Sequence, residues 1–585
     1  MIESRIRPVI AMGALPVSAY IAVTLVAPAG VLVLYSFWEA GFFTVERTLT
    51  WDNYARVFED SGYWRLILKS LLVGFVASLV AVPLAYVVAY AAIFRFKRAG
   101  NLLLALVMLS MLASYIVRIY AWKSILGPEG LVNNLLQSIH LVDRPLEFLL
   151  YGNFALVLTL VNILVPFAVL PIYSALQNVD RDTIAASRDL GSSGARTFRL
   201  VTLPLSMPGV SAALLFCFIL ASADYVTPQL VGGTNGLLVG RVISDQFGPA
   251  GNLPFGAALA VAMLVSLAVA ILMLGVLGRA LDLVGRRSTK TVRKRSGTSG
   301  LPGPLRAVAS RVDLLKTLCI VILLFLYLPM LMVVATSFSP SPSGQLNLSG
   351  GLTLQWYRGV LDSSVFLDAV VNSALVAGAT VVLALVLGTP AALALSRRTF
   401  VLQPLVKGLI VSPIALPGVV IGVAALSAVT LLGLDPGLWS VSVVHTLFTV
   451  PFVVLILRAR LHELDWQLTE AARDLGSSRL RTFKTVTLPL MASAMAGAAI
   501  LVFALSMDEF VITNFVVGTD TTLPVLIWSQ MRRGVSPNVN AISSLILFGT
   551  LTLICIAALL LRARRRAAQQ FAALNPSAIV SSAVN

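Results

Sequence analysis

RDLGSS occurs at Arg188–Ser193 and again at Arg473–Ser478. The match extends outward at a constant offset. Thr183–Leu205 reads TIAASRDLGSSGARTFRLVTLPL and Leu468–Leu490 reads LTEAARDLGSSRLRTFKTVTLPL, identical at 15 of 23 positions. Both copies are polar and basic, and both lie between long apolar stretches. A duplicated polar element in an apolar chain points to two half-molecules, each offering the same feature to the same kind of partner.

The surrounding composition is that of an integral membrane protein. Of 585 residues 58% are hydrophobic and only 12% charged, with a mean hydropathy of +0.90; soluble chains are about one quarter charged. Apolar runs near bilayer length recur twelve times, six from Leu15–Phe37 to Phe255–Leu277 and six from Leu315–Phe338 to Ala541–Leu561. In lipid only helices of this length satisfy their own backbone groups, so the expected fold is an all-α membrane protein of about 12 transmembrane helices in two parallel six-helix halves. The first run follows Arg5 and Arg7 and is too long for a signal peptide core, so it is read as a retained anchor. Cys217, Cys319 and Cys555 fall inside apolar spans and have neither disulfide nor metal spacing.

Charge orients the chain. With the N-terminus in the cytoplasm, the inside loops hold Arg95, Lys97, Arg98, both RDLGSS segments, Arg397, Arg398 and the tail residues Arg562, Arg564, Arg565 and Arg566. The stretch Arg279–Arg311 carries nine Lys/Arg against Asp282 and also lands inside, whereas Trp38–Lys69 is balanced, with five acids and four bases. This positive-inside distribution accounts for the net charge of +17 without nucleic acid as a partner. The expected layout is a first half at 1–285 with a coupling segment at 180–205, a basic, flexible cytoplasmic linker at 286–312, a second half at 313–566 with a coupling segment at 465–490, and a cytoplasmic tail at 567–585. LTWDNY at Leu49–Tyr54 and LTLQWY at Leu352–Tyr357 precede equivalent spans. The repeat is parallel, which predicts a pseudo-two-fold axis along the membrane normal and a pathway between the halves.

Each RDLGSS copy reads as a short helix, a turn and a second helix. Thr469 is placed to cap the helix bearing Glu470, Ala471 and Ala472; Gly476 ends it, as glycine tolerates the left-handed conformation of a helix stop. Pro204 and Pro489 open new apolar helices. Two such segments at equivalent places are expected to dock in grooves on another protein and to carry its motion to the spans. Glu470-Ala471-Ala472, Gly476 and Leu488-Pro489 resemble the EAA loop of ABC importer permeases, the coupling helix that sits in a cleft of the ATPase. The first copy departs from that motif, with Ala185 in place of the acid and Ser187 in place of the second alanine, while Ala186, Asp189, Gly191 and Pro204 match Ala471, Asp474, Gly476 and Pro489. ASADYVTPQLVGG (Ala221–Gly233) and SMDEFVITNFVVG (Ser506–Gly518) resemble the first and second permeases of spermidine/putrescine-type importers, so the chain resembles a fusion of two subunits that are usually separate.

The resemblance implies the type I ABC importer permease fold, alternating access, two copies of an ABC ATPase that bind ATP and Mg, and an extracytoplasmic solute-binding protein. It implies no cofactor on this chain. It implies a polyamine, putrescine or spermidine, as the expected cargo, with phosphonate, opine, thiamine or ferric iron as alternatives within the same class. No G-x-x-x-x-G-K-[ST] is present, and His140, His445 and His462 lack zinc-like spacing, so the chain is read as a transport subunit, not an enzyme. An ion-coupled secondary transporter is the alternative of a different class; its repeated motif is expected at membrane depth, not in a loop. Acids at depth are costly enough to mark a pathway. Asp224 aligns with Glu509, beside Asp508, and Tyr225 aligns with Phe510; the expectation is an outer vestibule in which acids attract an amine and rings offer faces to it. Capping of the following turn is the plainer reading of these acids. Trp122 closes the third span with Arg118 and Tyr120; it is counted with Asp224, Tyr225, Asp508, Glu509 and Phe510 as a substrate-pathway residue, with interfacial anchoring as the plainer reading of Tyr and Trp there. Pro413 and Pro417 are expected to kink the ninth span.

Overall fold

The computed structural model describes residues 12–41, 44–96, 99–111, 114–291, 314–341, 351–397, 400–532, 537–552 and 559. In the first half the principal helices are α1 (Leu15–Ser36), α2 (Ser61–Arg95), α3 (Gly100–Ser110), α4 (Tyr115–Leu126), α5 (Asn153–Gln177), α6 (Arg181–Asp189), α7 (Gly194–Ser222), α8 (Val239–Phe247) and α9 (Leu253–Thr291). The second half repeats the order with α10 (Leu314–Ser337), α11 (Ser364–Arg397), α12 (Gln403–Ala415), α13 (Gly418–Leu431), α14 (Leu438–Glu463), α15 (Gln467–Asp474), α16 (Arg479–Asp508), α17 (Thr513–Val516) and α18 (Leu523–Arg532). A two-residue antiparallel pair, Glu39–Ala40 with Val45–Glu46, is the strand structure among the described residues.

Nine of the described helices are long and apolar enough to cross a bilayer, eleven if each of two bent pairs counts as one span. The twelfth expected span starts in the helix at 537–552; Cys555, Arg562, Arg564, Arg565, Arg566 and the tail at 567–585 lie outside the described residues, as do Arg5, Arg7, Lys97, Arg98 and Arg398. The expected linker is helical at its start, since α9 runs on to Thr291; from residue 292 it too lies outside them.

The third and ninth spans, expected as Leu102–Trp122 and Leu405–Leu432, are broken; a bend was expected in the ninth, at Pro413 and Pro417, and not in the third. The chain turns by 86° between α3 and the segment Tyr115–Ser138, and by 102° between α12 and α13. Pro417 explains the second break, because it stands as N-cap of α13 with extended backbone (ψ 136°) and has no N–H to donate. The fifth and eleventh spans also differ from expectation. They begin at Gly194 and Arg479, about ten residues before the expected Leu205 and Leu490, and Pro204 and Pro489 lie inside continuous helices. Each proline follows a π-helical turn, Phe198–Thr202 or Phe483–Thr487. The extra residue of that turn moves the preceding carbonyls out of the way of the proline ring.

Each half is built on three packed helices, α2, α5 and α7 in the first and α11, α14 and α16 in the second. Small residues let these helices approach closely where lipid supplies no hydrophobic drive between them. The first helix of each half is exchanged in part: α1 packs on α11, α12 and α13 as well as on α9 of its own half, with Tyr20 donating to the Val443 carbonyl, and α10 packs on α2, α3 and α4. Asn162 of α5 donates to the Phe325 carbonyl at 2.8 Å, and Tyr327 donates to the Leu106 carbonyl at 2.8 Å. The internal repeat is legible in side-chain bonds as well as in helices. Ser36 and Tyr54 share a hydrogen bond of 2.7 Å, Ser337 and Tyr357 one of 2.6 Å. Ser70 accepts from Val239 N at the start of α8, and Ser373 from Leu523 N at the start of α18.

The α2–α7 crossing is tight. A Cβ at Gly74 would lie 2.2 Å from Ser222 Oγ and 2.8 Å from Ser222 N. Overpacking of this kind costs about 1–3 kcal/mol, so Gly74→Val should lower the melting temperature of the solubilised protein in a thermal-shift assay. Gly30→Ala, where nothing lies within 4 Å, should leave it within a degree or so of the parent, since a Cβ there disturbs no neighbour. Equal melting of both variants with the parent would contradict the packing described.

Candidate functional site

The two RDLGSS segments have the same local structure for the same local reasons. In the first, Asp180 Oδ1 accepts from Asp182 N (3.0 Å) and opens α6; in the second, Asp465 Oδ1 accepts from Gln467 N (2.9 Å) and opens α15. Asp180 is the N-cap of α6, whereas Asp465 stands one residue before Trp466, the N-cap of α15; Thr469, expected to cap, is buried inside α15. Gly191 (φ 82°) and Gly476 (φ 83°) stop the helices in the left-handed region. Ser193 and Ser478 then cap the next helices, accepting from Arg196 N and Arg481 N at 3.3 Å. Ala185, Ala186, Asp189, Glu470 and Asp474 are exposed, Ala471 with them, while Ala472 is half-buried. Pro204 and Pro489 are also exposed, on the long helices beyond the segments.

One feature of these segments is not in the expected residue set. Leu190 and Leu475, the leucines of RDLGSS, are 87% and 77% exposed. Their signal was present in the sequence as an apolar residue kept in both copies of a polar turn. Burying such a side chain against a partner is worth about 1.5–3 kcal/mol.

The acids lie at the other ends of α7 and α16. The 29 residues of α7 rise about 1.5 Å each and separate Asp224 from the RDLGSS turn by roughly 43 Å. Asp224, Asp508 and Glu509 are all engaged by the protein. Asp508, from the second half, accepts from the backbone N–H of Tyr115 at 3.1 and 3.2 Å, so it caps α4 of the first half. Arg118, one turn along α4, is buried and acts electrostatically on Asp508. Glu509 accepts from Ile512 N (2.8 Å), Thr513 N (3.0 Å) and Thr513 Oγ1 (2.9 Å), and its Oε2 lies 3.3 Å from His445 Nε2. His445 also bonds Ser506 Oγ and Thr513 Oγ1, both at 2.8 Å. Asp224 Oδ1 accepts from Val226 N (3.0 Å) and from the hydroxyl of Tyr115 (2.5 Å). Its Oδ2 is buried and has no hydrogen-bond partner among the described residues.

The rings that follow these acids are buried between the halves. Tyr225 packs on Phe510 (6.2 Å between centroids) and Phe515 (5.6 Å), and Phe510 packs on Trp528 (5.0 Å). Phe515 and Trp528 also wall a cavity of about 150 Å³ between the halves, together with Gln229, Asp245, Phe247, Asn514 and Arg532. Burial holds the Asp245 carboxyl above the ordinary range, against the pull of Arg241 (3.8 Å) and of Arg532. Trp122 and Tyr120, expected as interfacial anchors, are instead inside the protein, with Trp122 5.5 Å from Phe325 of the exchanged helix α10. The residue that sequence reasoning missed here is Tyr115, which joins Asp224 to Asp508 through its hydroxyl and its N–H. No spacing pattern marks it, because its partners are 109 and 393 residues away.

A family model described as binding-protein-dependent transport system inner membrane component matches the chain twice, at residues 81–283 and 364–570. The spermidine/putrescine transport system permease protein PotB of Escherichia coli K12 is 33% identical over 243 residues, covering 42% of this chain and 86% of that protein. The spermidine/putrescine transport system permease protein PotC of the same organism is 33% identical over 213 residues, covering 36% of this chain and 81% of that protein. A chain from the crystal structure of a bacterial ABC transporter involved in the import of the acidic polysaccharide alginate aligns over 45% of this chain and 99% of its own, at 15% identity and a TM-score of 0.35. The two separate matches at 81–283 and 364–570 follow the two structural halves, and the chain belongs to the family of binding-protein-dependent transport system inner membrane components, with two copies of the family's domain in one multi-pass membrane protein.

Proposed function

We propose that this chain forms both halves of the translocation pathway of an ATP-driven importer, and that its solute is a polyamine, putrescine or spermidine. The observation that carries the importer reading is the duplicated docking segment. Two turns with matching backbone, caps and exposed leucines suit two copies of one partner, which the family context makes an ABC ATPase. ATP and Mg belong to that partner, as this chain has no phosphate-cradling motif; the cargo arrives from a separate solute-binding protein. Positive-inside charge supports a topology with both chain ends and both RDLGSS segments in the cytoplasm and the acid cluster and cavity toward the opposite side. The halves at 1–285 and 313–566 then act as the two bodies of alternating access. Closure of the ATPases draws the segments at 180–205 and 465–490 together, and the long helices α7 and α16 carry the motion roughly 43 Å to the acid cluster. The solute passes at the seam between halves, by Asp224, beside the rings of Tyr225 and Phe510 and the α4 helix that bears Trp122.

The polyamine assignment rests on the PotB and PotC relatives and on the buried Asp224 at that seam. Where this chain, its ATPase and its binding protein are expressed together, uptake of labelled putrescine and spermidine should require both ATP and this chain. Absence of polyamine uptake with the ATPase still co-purifying would overturn the cargo and leave the importer.

The docking role has its own test. Leu190→Asp with Leu475→Asp removes two exposed knobs without touching either core. Loss of about 3 kcal/mol or more across the two sites corresponds to at least a hundredfold weaker association. The double variant should therefore purify without the ATPase while keeping the parent's melting temperature. Normal uptake and normal co-purification would refute docking at these turns.

A further inference from the structure

Asp224 and Glu509 are equivalent positions of the two halves, yet their surroundings differ at every polar neighbour. At the constant offset that aligns them, His445 corresponds to Leu160, Ser506 to Ala221 and Thr513 to Pro228. The second half thus carries a buried network in which Glu509 is held by an imidazole, a hydroxyl and two N–H groups. At the corresponding places the first half has three apolar residues, all buried. The basic partner of Asp508 is Arg118 and that of Glu509 is His445, whereas Asp224 has no basic partner among the described residues and leaves Oδ2 without a hydrogen bond at 8% exposure. A carboxylate oxygen desolvated in this way is expensive unless something is to fill the place. The helices that follow the two breaks differ in the same sense. α4 begins with Tyr115, whose hydroxyl donates to Asp224 Oδ1 at 2.5 Å; α13 begins with Gly418, which has no side chain to offer.

We propose that Asp224 alone of the three acids receives the ammonium group of the solute, that Tyr115 occupies it in the absence of solute, and that Glu509 is a strut which fixes α17 to α14. The inference rests on the reading of the cargo as an amine. An arriving ammonium finds Oδ2 without a partner and competes with the Tyr115 hydroxyl for Oδ1. Tyr115 is the first residue of α4 and its N–H is held by Asp508 of the other half, so release of its hydroxyl leaves the start of α4 tied to the second half alone. Cargo recognition and gate release then share one residue, and only in the first half.

The test is uptake kinetics for labelled putrescine in proteoliposomes that hold the full chain with its ATPase and binding protein. No amine uptake by the parent refutes the cargo reading before any variant is made, and this inference falls with it. Given uptake by the parent, Asp224→Asn should lose at least about thirtyfold in kcat/KM, as expected when a charge-assisted contact is removed, while still co-purifying with the ATPase. Tyr115→Phe removes the competitor and should lower KM about threefold to tenfold, the equivalent of one hydrogen bond. Leu160→His sets an imidazole where His445 stands in the other half, and should raise KM about tenfold by occupying Asp224. Glu509→Gln should reduce the amount of assembled transporter and its melting temperature, with KM per assembled transporter within about twofold of the parent. A parent-like KM in Asp224→Asn, a raised KM in Tyr115→Phe, or a rise in KM for Glu509→Gln equal to that for Asp224→Asn would each overturn the asymmetry.

Discussion

Inside a bilayer a backbone N–H has no water to turn to, and two of this protein's apolar spans are broken. At the first break the carboxylate of Asp508, from the opposite half, bonds the N–H that opens α4. A charged acceptor replaces the missing helical carbonyl, and the buried Arg118 beside it balances the charge. At the second break Pro417 removes a donor that would have needed such a partner. The seam between the halves is organised by these two solutions. One brings an acid across the interface, and the other needs none.

The exchanged helices α1 and α10 give that seam its width. Each reaches across to the other half, α1 while also packing on α9 of its own, and the bonds made by Tyr20, Asn162 and Tyr327 to main-chain carbonyls tie the halves together. With no hydrophobic drive between helices in lipid, contact at small residues and such bonds hold the bundle together. The result is two interlocked halves.

Duplication and divergence are both visible in the side chains. The Ser–Tyr bonds at Ser36 and Ser337, the serine acceptors at Ser70 and Ser373 and the capped RDLGSS turns have kept the same geometry in both halves. The acid sites have not. A buried imidazole network surrounds Glu509, and apolar residues occupy the corresponding positions around Asp224. A pseudo-symmetric frame thus carries an asymmetric centre.

Composition alone determined that this is a helical membrane protein, because a chain so apolar has few other ways to satisfy its backbone in lipid. The repeat alone determined the two halves and the paired RDLGSS turns. The glycine stop of each turn was legible because it is a local, left-handed requirement, whereas the helix start was read at Thr469 and lies at Asp180 and Asp465. Where reading failed, the cause was non-local or subtle. A π turn let helices run through Pro204 and Pro489, and packing with α10 drew Trp122 inside. Which acid stays open, and which helix it answers to, was decided only by the tertiary structure. Those pairings join residues 109 and 393 positions apart from both halves, and no local spacing records them.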